Sequence, residues 1–420
     1  MENCLKYLHN KIQTIRLKNK TKEDYNEVDI LLKCSFKMLD IDFPNGPFVF
    51  KSNPEYKIYL DKIIEEFVIL AFYMNYKELG LRLSDNLILD PKCKIGPHQI
   101  IGNQRFYLEP LKTIKRKKID VNLPEKRFAM NPSILKTDDG YIINCRIINY
   151  QLNDTGRYII YHPSGKIITE NIIIHTNKYL HEISQYVLHD VSQCIEFKKN
   201  IQGLEDLILF KHNSDLWFTC TNLESNPHGL PQINLCRLKF ESDKYLVTEK
   251  YPIELPSNRG EKNWLPVIHK NHLKLIYEYH PYTIKEISDE LIHGKVIKVN
   301  NILSGKYNLN LSRFKGSAAP IEFEDGYLII VHETFNLPSG LRCYLHRFIW
   351  LNDTLEIKKM SHPWYFQHHG IEFCRAMVRS HIEDEIILSY SIHDKDAQWC
   401  SVDVNYIKSL LFDLDYFMFQ

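Results

Sequence analysis

The sequence predicts an all-β five-bladed propeller preceded by a small α-helical, tetratricopeptide-like N-terminal region. Three observations predict it. Near residue 110 the apolar pattern changes from helical spacing to short strands bounded by Gly, Asn, Asp and Pro. From there on the strands fall into groups with one grammar: a small or polar opening, an apolar strand, a polar turn, a second apolar strand with a polar end, and a third strand. The groups recur at roughly 50 residues, the size of a propeller blade, whereas a β-sandwich predicts no such repeat.

Residues 1–110 read as the helical region. Tyr59 to Tyr73 (YLDKIIEEFVILAFY) places apolar residues at helix spacing with acids on the other face. Tyr76 to Leu89 (YKELGLRLSDNLIL) repeats the pattern, and Pro91 stops it. The two are close enough for a helical hairpin, which fits a single tetratricopeptide-like unit or a generic helical pair. Pro44, Pro47 and Pro54 break the chain before them. Residues 111–127 read as a linker. Its basic run, Lys112 to Lys118 (KTIKRKK), reads as solvated, because it lacks the interleaved aromatics of a nucleic-acid stacking platform.

Residues 128–420 read as the propeller. Its five groups are Asn131 to His175 (opening NPSILKTDDGYIINCRIINY), Ile195 to Leu255 (with GLEDLILFKHNSDLWFTCTNL), Asn263 to Ile302 (with NWLPVIHKNHLKLIYEYHPYTI), Gly316 to Phe366 (with GSAAPIEFEDGYLIIVHETF) and Ile371 to Val404 (with IEFCRAMVRSHIEDEIILSYSIHD). In a propeller the innermost strand of each blade lines a central channel, so polar residues in the same slot of each repeat converge at its mouth. The strand openings supply Asn131, Glu205 with Asp206, Lys262 with Asn263, Ser317, and Glu372. The ends of the second strands supply Arg146, His280, His332 with Glu333, and Asp394. Each alone reads as a turn residue. Recurrence in one slot is what marks the set. Trp217, Trp264, Trp364 and Trp399 read either as blade core or as exposed stacking faces.

Composition limits the function. The chain of 420 residues has a net charge of +1 with 25% charged residues, so no bulk electrostatic case exists for nucleic acid or a membrane surface. Ten scattered cysteines with no C-x-x-C do not suggest a zinc ribbon, and no other metal site or cofactor is expected. There is no P-loop, no dinucleotide-binding G-x-G-x-x-G after a strand, no H-E-x-x-H and no G-x-S-x-G. The start, MENCLKYLHNKIQ, has no apolar stretch of leader length, and a reducing, cytoplasmic location is the expectation.

The motifs NPSI…CR, GLEDL, EKNWLP, GSAAPI…GYLIIVHE and IEFC…IILSYSIHD resemble the successive blade motifs of the mannoside phosphorylases and β-mannosidases of glycoside hydrolase family 130. The helical hairpin followed by GNQRFY resembles the helical repeats fused to such propellers in glycosyltransferase-like proteins of bacteria and giant viruses. The resemblance implies a carbohydrate-active enzyme on mannoside-like bonds (glycosidase, phosphorylase or glycosyltransferase) with a carbohydrate substrate and, in the phosphorylase case, phosphate or a sugar-phosphate donor. It implies that Asp206 is the general acid, that Asn131, Arg146 and Asp394 hold the sugar or an anion, and that Lys262 and His280 lie near the phosphate. Here Leu207 and Ile208 follow the acids where the family has Pro-Arg, which weakens the phosphorylase case. A hydrolase needs a second carboxylate to activate water, for which Glu333 and Glu372 are the candidates. Glu205 is expected to raise the pKa of Asp206 and keep it protonated. A non-catalytic propeller, binding glycan or protein, is the alternative.

Overall fold

The computed structural model describes residues 2–17, 27, 30–31, 57–73, 75–153, 155–254, 259–287, 297–337 and 340–418. Pro44, Pro47 and Pro54 lie outside the described residues. Helices come first: α1 (Glu2–Leu17), α2 (Lys57–Tyr73), α3 (Lys77–Leu89) and α4 (Pro97–Gln104). A mostly β region follows, opened by the short β1 (Lys115–Lys118).

Among the described residues, successive antiparallel groups of strands make up that region, joined into a 13-stranded sheet and sheets of four, five and two strands. The first is β2 (Phe128–Lys136), β3 (Gly140–Ile148), a small hairpin β4–β5 (Tyr150–Leu152 and Tyr158–Ile160), β6 (Ile167–Asn177) and β7 (Glu182–Asp190). After β8 (Ile201–Gln202) the second is β9 (Glu205–His212), β10 (Asp215–Asn222), β11 (Gln232–Glu241) and β12 (Lys244–Pro252). The third is β13 (Leu265–His269), β14 (His272–Tyr279), β15 (Tyr282–Ile287) and β16 (Val299–Gly305). The fourth is β17 (Lys315–Phe323), β18 (Gly326–Asn336), β19 (Arg342–Leu351) and β20 (Ile357–Met360). The fifth is β21 (Glu372–Arg379), β22 (Glu385–Ile392) and β23 (Asp396–Asp403), after which come α5 (Val404–Ser409) and β24 (Phe412–Asp413).

The first strands β2, β9, β13, β17 and β21 pack side by side in that order, and β21 returns against β2. This closed succession of meanders is a propeller-like arrangement, with the first strands innermost. Two-residue turns set the strand registers. Asn213 with Ser214, Ser242 with Asp243, and Lys270 with Asn271 all take positive φ, as the twist of a tight hairpin demands. The ring is fastened by an earlier piece of chain. β1 pairs antiparallel with β23, Lys117 opposite Trp399, and supplies the outer strand of the fifth group. The basic run expected as a solvated linker therefore has a paired backbone, while Lys115, Lys117 and Lys118 keep exposed side chains.

The helices dock on the fourth group. Ile63, Phe67 and Val68 of α2 pack with Leu83 and Leu87 of α3, Ile100 of α4, and Phe335, Cys343 and Leu345 of β18 and β19. Gly80 is required here: a Cβ on it would sit 2.3 Å from the Tyr107 ring, whose hydroxyl donates to the Val68 carbonyl. All four tryptophans named above are buried in clusters between strands, so none is a sugar-facing platform.

Candidate active site

The inner strands carry a repeated irregularity. In β2, Asn131 and Pro132 stand against Cys145 alone, between the pairs Met130–Arg146 and Ser133–Asn144. In β9, Asp206 and Leu207 stand against Cys220 alone, between Glu205–Thr221 and Ile208–Thr219. Ser317 in β17 and Arg375 in β21 are likewise extra residues in their strands. A bulge turns the strand and re-aims its side chains. The left-handed backbone it needs is one that Asn and Asp tolerate better than other non-glycine residues. Accordingly φ is 43° at Asn131, 54° at Asp206 and, just before β13, 65° at Asn263.

These slots open on one pocket of about 390 Å³. Asn131, Arg146, Glu205, Asp206, Lys262, Asn263, His332 and Asp394 all line it. Arg146 is the hub. Its Nη1 donates to Asp206 Oδ1 at 2.9 Å and its Nη2 to Glu205 Oε1 at 2.7 Å. Lys262 Nζ donates to Glu205 Oε2 at 2.9 Å. Asn131 Nδ2 donates to Asp206 Oδ1 at 2.7 Å, and Ser391 Oγ donates to Asn131 Oδ1 at 2.6 Å, which fixes the amide's orientation. The bulge brings both acids of GLEDL to the same guanidinium, although a regular strand would send neighbours to opposite faces. Both hydrogen bonds to the Asp206 carboxylate end on Oδ1, so among the described residues Oδ2 has no hydrogen-bonded partner.

The two aspartates titrate apart. Burial alone would raise the Asp206 carboxyl, but Arg146, then Arg375 and Lys262, outweigh it and hold the group well below the usual carboxylate range. The expectation that Glu205 keeps Asp206 protonated is thus reversed by the surrounding cations. Asp394 sits half-buried in the β22–β23 turn at φ 54°. Burial pushes its carboxyl up to about 6 despite the pull of Arg146, and the Asp206 carboxylate adds to the rise. His332 is brought down to about 3 by burial and by Arg375, so its imidazole is neutral.

Four expected site residues are placed elsewhere. Glu333 follows His332 on β18 and therefore takes the opposite face, where it pairs with Arg347 at 2.8 Å and Arg313 at 3.3 Å. Glu372 is fully buried, and its carboxylate accepts the backbone N–H groups of Phe366, Gln367 and His368 at 2.6, 2.9 and 2.8 Å. Neither lines the pocket, so neither is a water-activating base there. Ser317 is fully buried with its hydroxyl on the Cys374 carbonyl, tying β17 to β21. His280 is exposed in the β14–β15 turn, outside the pocket.

Several pocket residues were not expected. Tyr150 and Tyr158 enter from the β4–β5 hairpin, and Arg342, Tyr344 and Phe373 from β19 and β21. Only the slot logic had a signal to offer. Arg375, three residues past Glu372, is the fifth group's bulge residue, and its guanidinium donates to the Asp206 carbonyl.

No protein-family model matches the sequence, and no curated protein matches it at the sequence level. The fold is similar to solved structures. A β-1,2-mannobiose phosphorylase from Listeria innocua, solved with β-1,2-mannobiose, superposes with a TM-score of 0.44 at 12% identity over 69% of this chain and 94% of that one. A mannose phosphorylase from Leishmania mexicana, solved with phosphate, gives 0.42 at 10% identity over 74% and 94%. A GDP-Man-dependent mannosyltransferase from Leishmania mexicana gives 0.40 at 10% identity over 70% and 91%.

Proposed function

We propose that this chain is a carbohydrate-active enzyme on a five-bladed propeller, acting on mannoside-like glycosidic bonds by cleavage or transfer. The observation that carries the reading is the convergence of Asp206, Asp394 and Arg146 on one pocket at the mouth of the inner strands, with the Asp206 carboxyl held below the usual carboxylate range and the Asp394 carboxyl raised to about 6. Such a split is what acid-catalysed glycosyl transfer requires. Asp394, titrating near 6, holds a proton for the departing sugar oxygen. Asp206 is a poor base because the cations hold its proton affinity down, and this suits it to stabilising the positive charge that grows on the sugar ring. The roles differ from the family pattern, in which Asp206 is the donor. Asn131, Lys262, Asn263 and His332 bind hydroxyls around them. The incoming group is water, phosphate or an acceptor hydroxyl.

A second reading is a non-catalytic glycan-binding propeller. It is favoured by the complete pairing of Glu205, whose two oxygens go to Arg146 and Lys262. One experiment separates the two. Manno-oligosaccharides are screened with and without phosphate, alongside nucleotide-mannose donors, using the wild type, Asp394→Asn and Asp206→Asn. Turnover that both variants lose while still binding sugar supports the enzyme; binding without turnover in the wild type supports the module.

A further inference from the structure

Arg375 is not part of the pocket wall, yet its environment is shaped around Asp206. It is 2% exposed, and its Nη2 donates to the main-chain carbonyl of Asp206, a residue with no register partner in β10. Its Nε and Nη1 are buried and have no hydrogen-bond partner among the described residues. No carboxylate pairs with it among those residues, and its Cζ lies 5.9 Å from the ring of Phe373, which lines the pocket. A buried guanidinium without a carboxylate is costly. Burial pulls it down to about 10, against the opposing pull of Asp206.

We propose that Arg375 is a positioning residue for Asp206: by holding the bulge carbonyl it keeps the left-handed backbone that aims the carboxylate at Arg146, Asn131 and the pocket. The reason is local. A bulge leaves a peptide outside the ladder, and a carbonyl there needs a donor. Without one, the Asp206 peptide relaxes toward extended backbone, where alternation carries its side chain to the other face of the strand. The two ends of the device are matched, since Arg375 is itself the extra residue of its own strand. The inference rests on Asp206 being the ionised working carboxylate, and the test separates the two claims.

Asp206 is faced by Arg146 from β3, Lys262 from the segment before β13, Asp394 from the β22–β23 turn and His332 from β18, with Glu205 beside it. Tyr344 of β19, pushed up to about 12 by burial, remains neutral. The measurement is the Asp206 carboxyl ¹³C resonance, assigned by its loss in Asp206→Asn and followed from pH about 7 to about 3, a window spanning the ordinary Asp value. In the wild type it should stay at the ionised position throughout. In Arg375→Met it should shift toward the protonated position within that window, and Arg375→Lys should restore the wild-type trace. Thermal melting establishes that each variant is folded. If Arg375→Met does not fold, Arg375→Leu, which also lacks a donor, takes its place. Arg375→Gln, which keeps a donor for the Asp206 carbonyl without the charge, should stay near the wild-type trace, and a shift there as large as in Arg375→Met would assign the effect to lost charge and overturn the positioning role. A trace identical to wild type in a folded variant that lacks the donor overturns the proposal. A shifted trace, with no mannoside turned over by the wild type, would leave the role of Arg375 standing and remove the glycosidic reading.

Discussion

Arg347 Nη2 lies 2.6 Å from Asp85 Oδ1, so β19 and helix α3 share an ion pair between two fully buried side chains. Asp85 also accepts from Gln104 of α4 at 2.6 Å and from His362, while Arg347 Nε holds Glu333 at 2.8 Å. Charge thus links three layers: the helices, β19 and β18. Such a pair contributes little net stability relative to apolar packing, but removing one partner strands the other.

Asp85→Ala should therefore destabilise the protein by up to about 3–5 kcal/mol, because Arg347 keeps Glu333 but its buried Nη2 loses the carboxylate acceptor. The urea midpoint measures it. The sign of the pH dependence follows from the carboxyl. Burial would raise it, but Arg347 and His362 win and bring it down to about 2. A depressed folded value means the contribution is fully present above the unfolded Asp value, about 3.9, and is lost as pH falls toward 2. Asp85→Asn should flatten acid unfolding across that window.

Glu372 separates structural from chemical acids. Its carboxylate is the acceptor for three successive backbone N–H groups. Glu372→Gln puts an amide N–H where an acceptor is needed and should cost about 1–3 kcal/mol in denaturant unfolding. Turnover per folded molecule should be unchanged. A loss of turnover without loss of stability would return Glu372 to the chemistry.

How much of this was legible in the sequence depends on whether the signal is local. The strand groups are legible because apolar runs and tight turns such as Asn213–Ser214 are short-range features. The pocket slots are legible in part for the same reason. Asn131, Asp206 and Asn263 are the residue types that the left-handed backbone of a bulge admits, so a repeat of Asn and Asp at strand openings marks it. Arg375 is not legible that way. Its bulge lies three residues into β21, and counting from the strand's start selects Glu372 instead. Glu333 fails through alternation, since adjacent residues on β18 cannot both face the channel and the sequence does not say which does. The pairing of Asp85 with Arg347 spans 262 residues and leaves no local trace.

Gly203 opens GLEDLILF, and it takes φ +95°. A Cβ there would meet the Thr169 carbonyl oxygen at 2.1 Å. Gly203→Ala should therefore strain the seam between β6 and β9 and lower stability by more than the roughly 1 kcal/mol typical of a glycine substitution. Because Glu205 is two residues away, sugar affinity should fall as well. Equal affinity at reduced stability would show that the strain is absorbed before reaching the pocket.

If Asp394 is the donor, activity requires its protonated form, so turnover should be full below pH about 6 and fall as pH rises through that value. Asp394→Asn should remove that limb and lower turnover by about 10²–10⁴-fold. Asp206→Asn should be as damaging for another reason. It deletes the ionised partner, leaves Arg146 with Glu205 as its remaining carboxylate contact, and frees Asp394 from a neighbouring negative charge. Losing that charge lowers the Asp394 value, so the residual activity of Asp206→Asn should fall off at a lower pH than wild type. Had Asp206 been the donor, its removal would erase the limb instead of moving it. The pH profile of the two variants side by side therefore assigns the proton, and a limb that survives Asp394→Asn unmoved would take that role from Asp394.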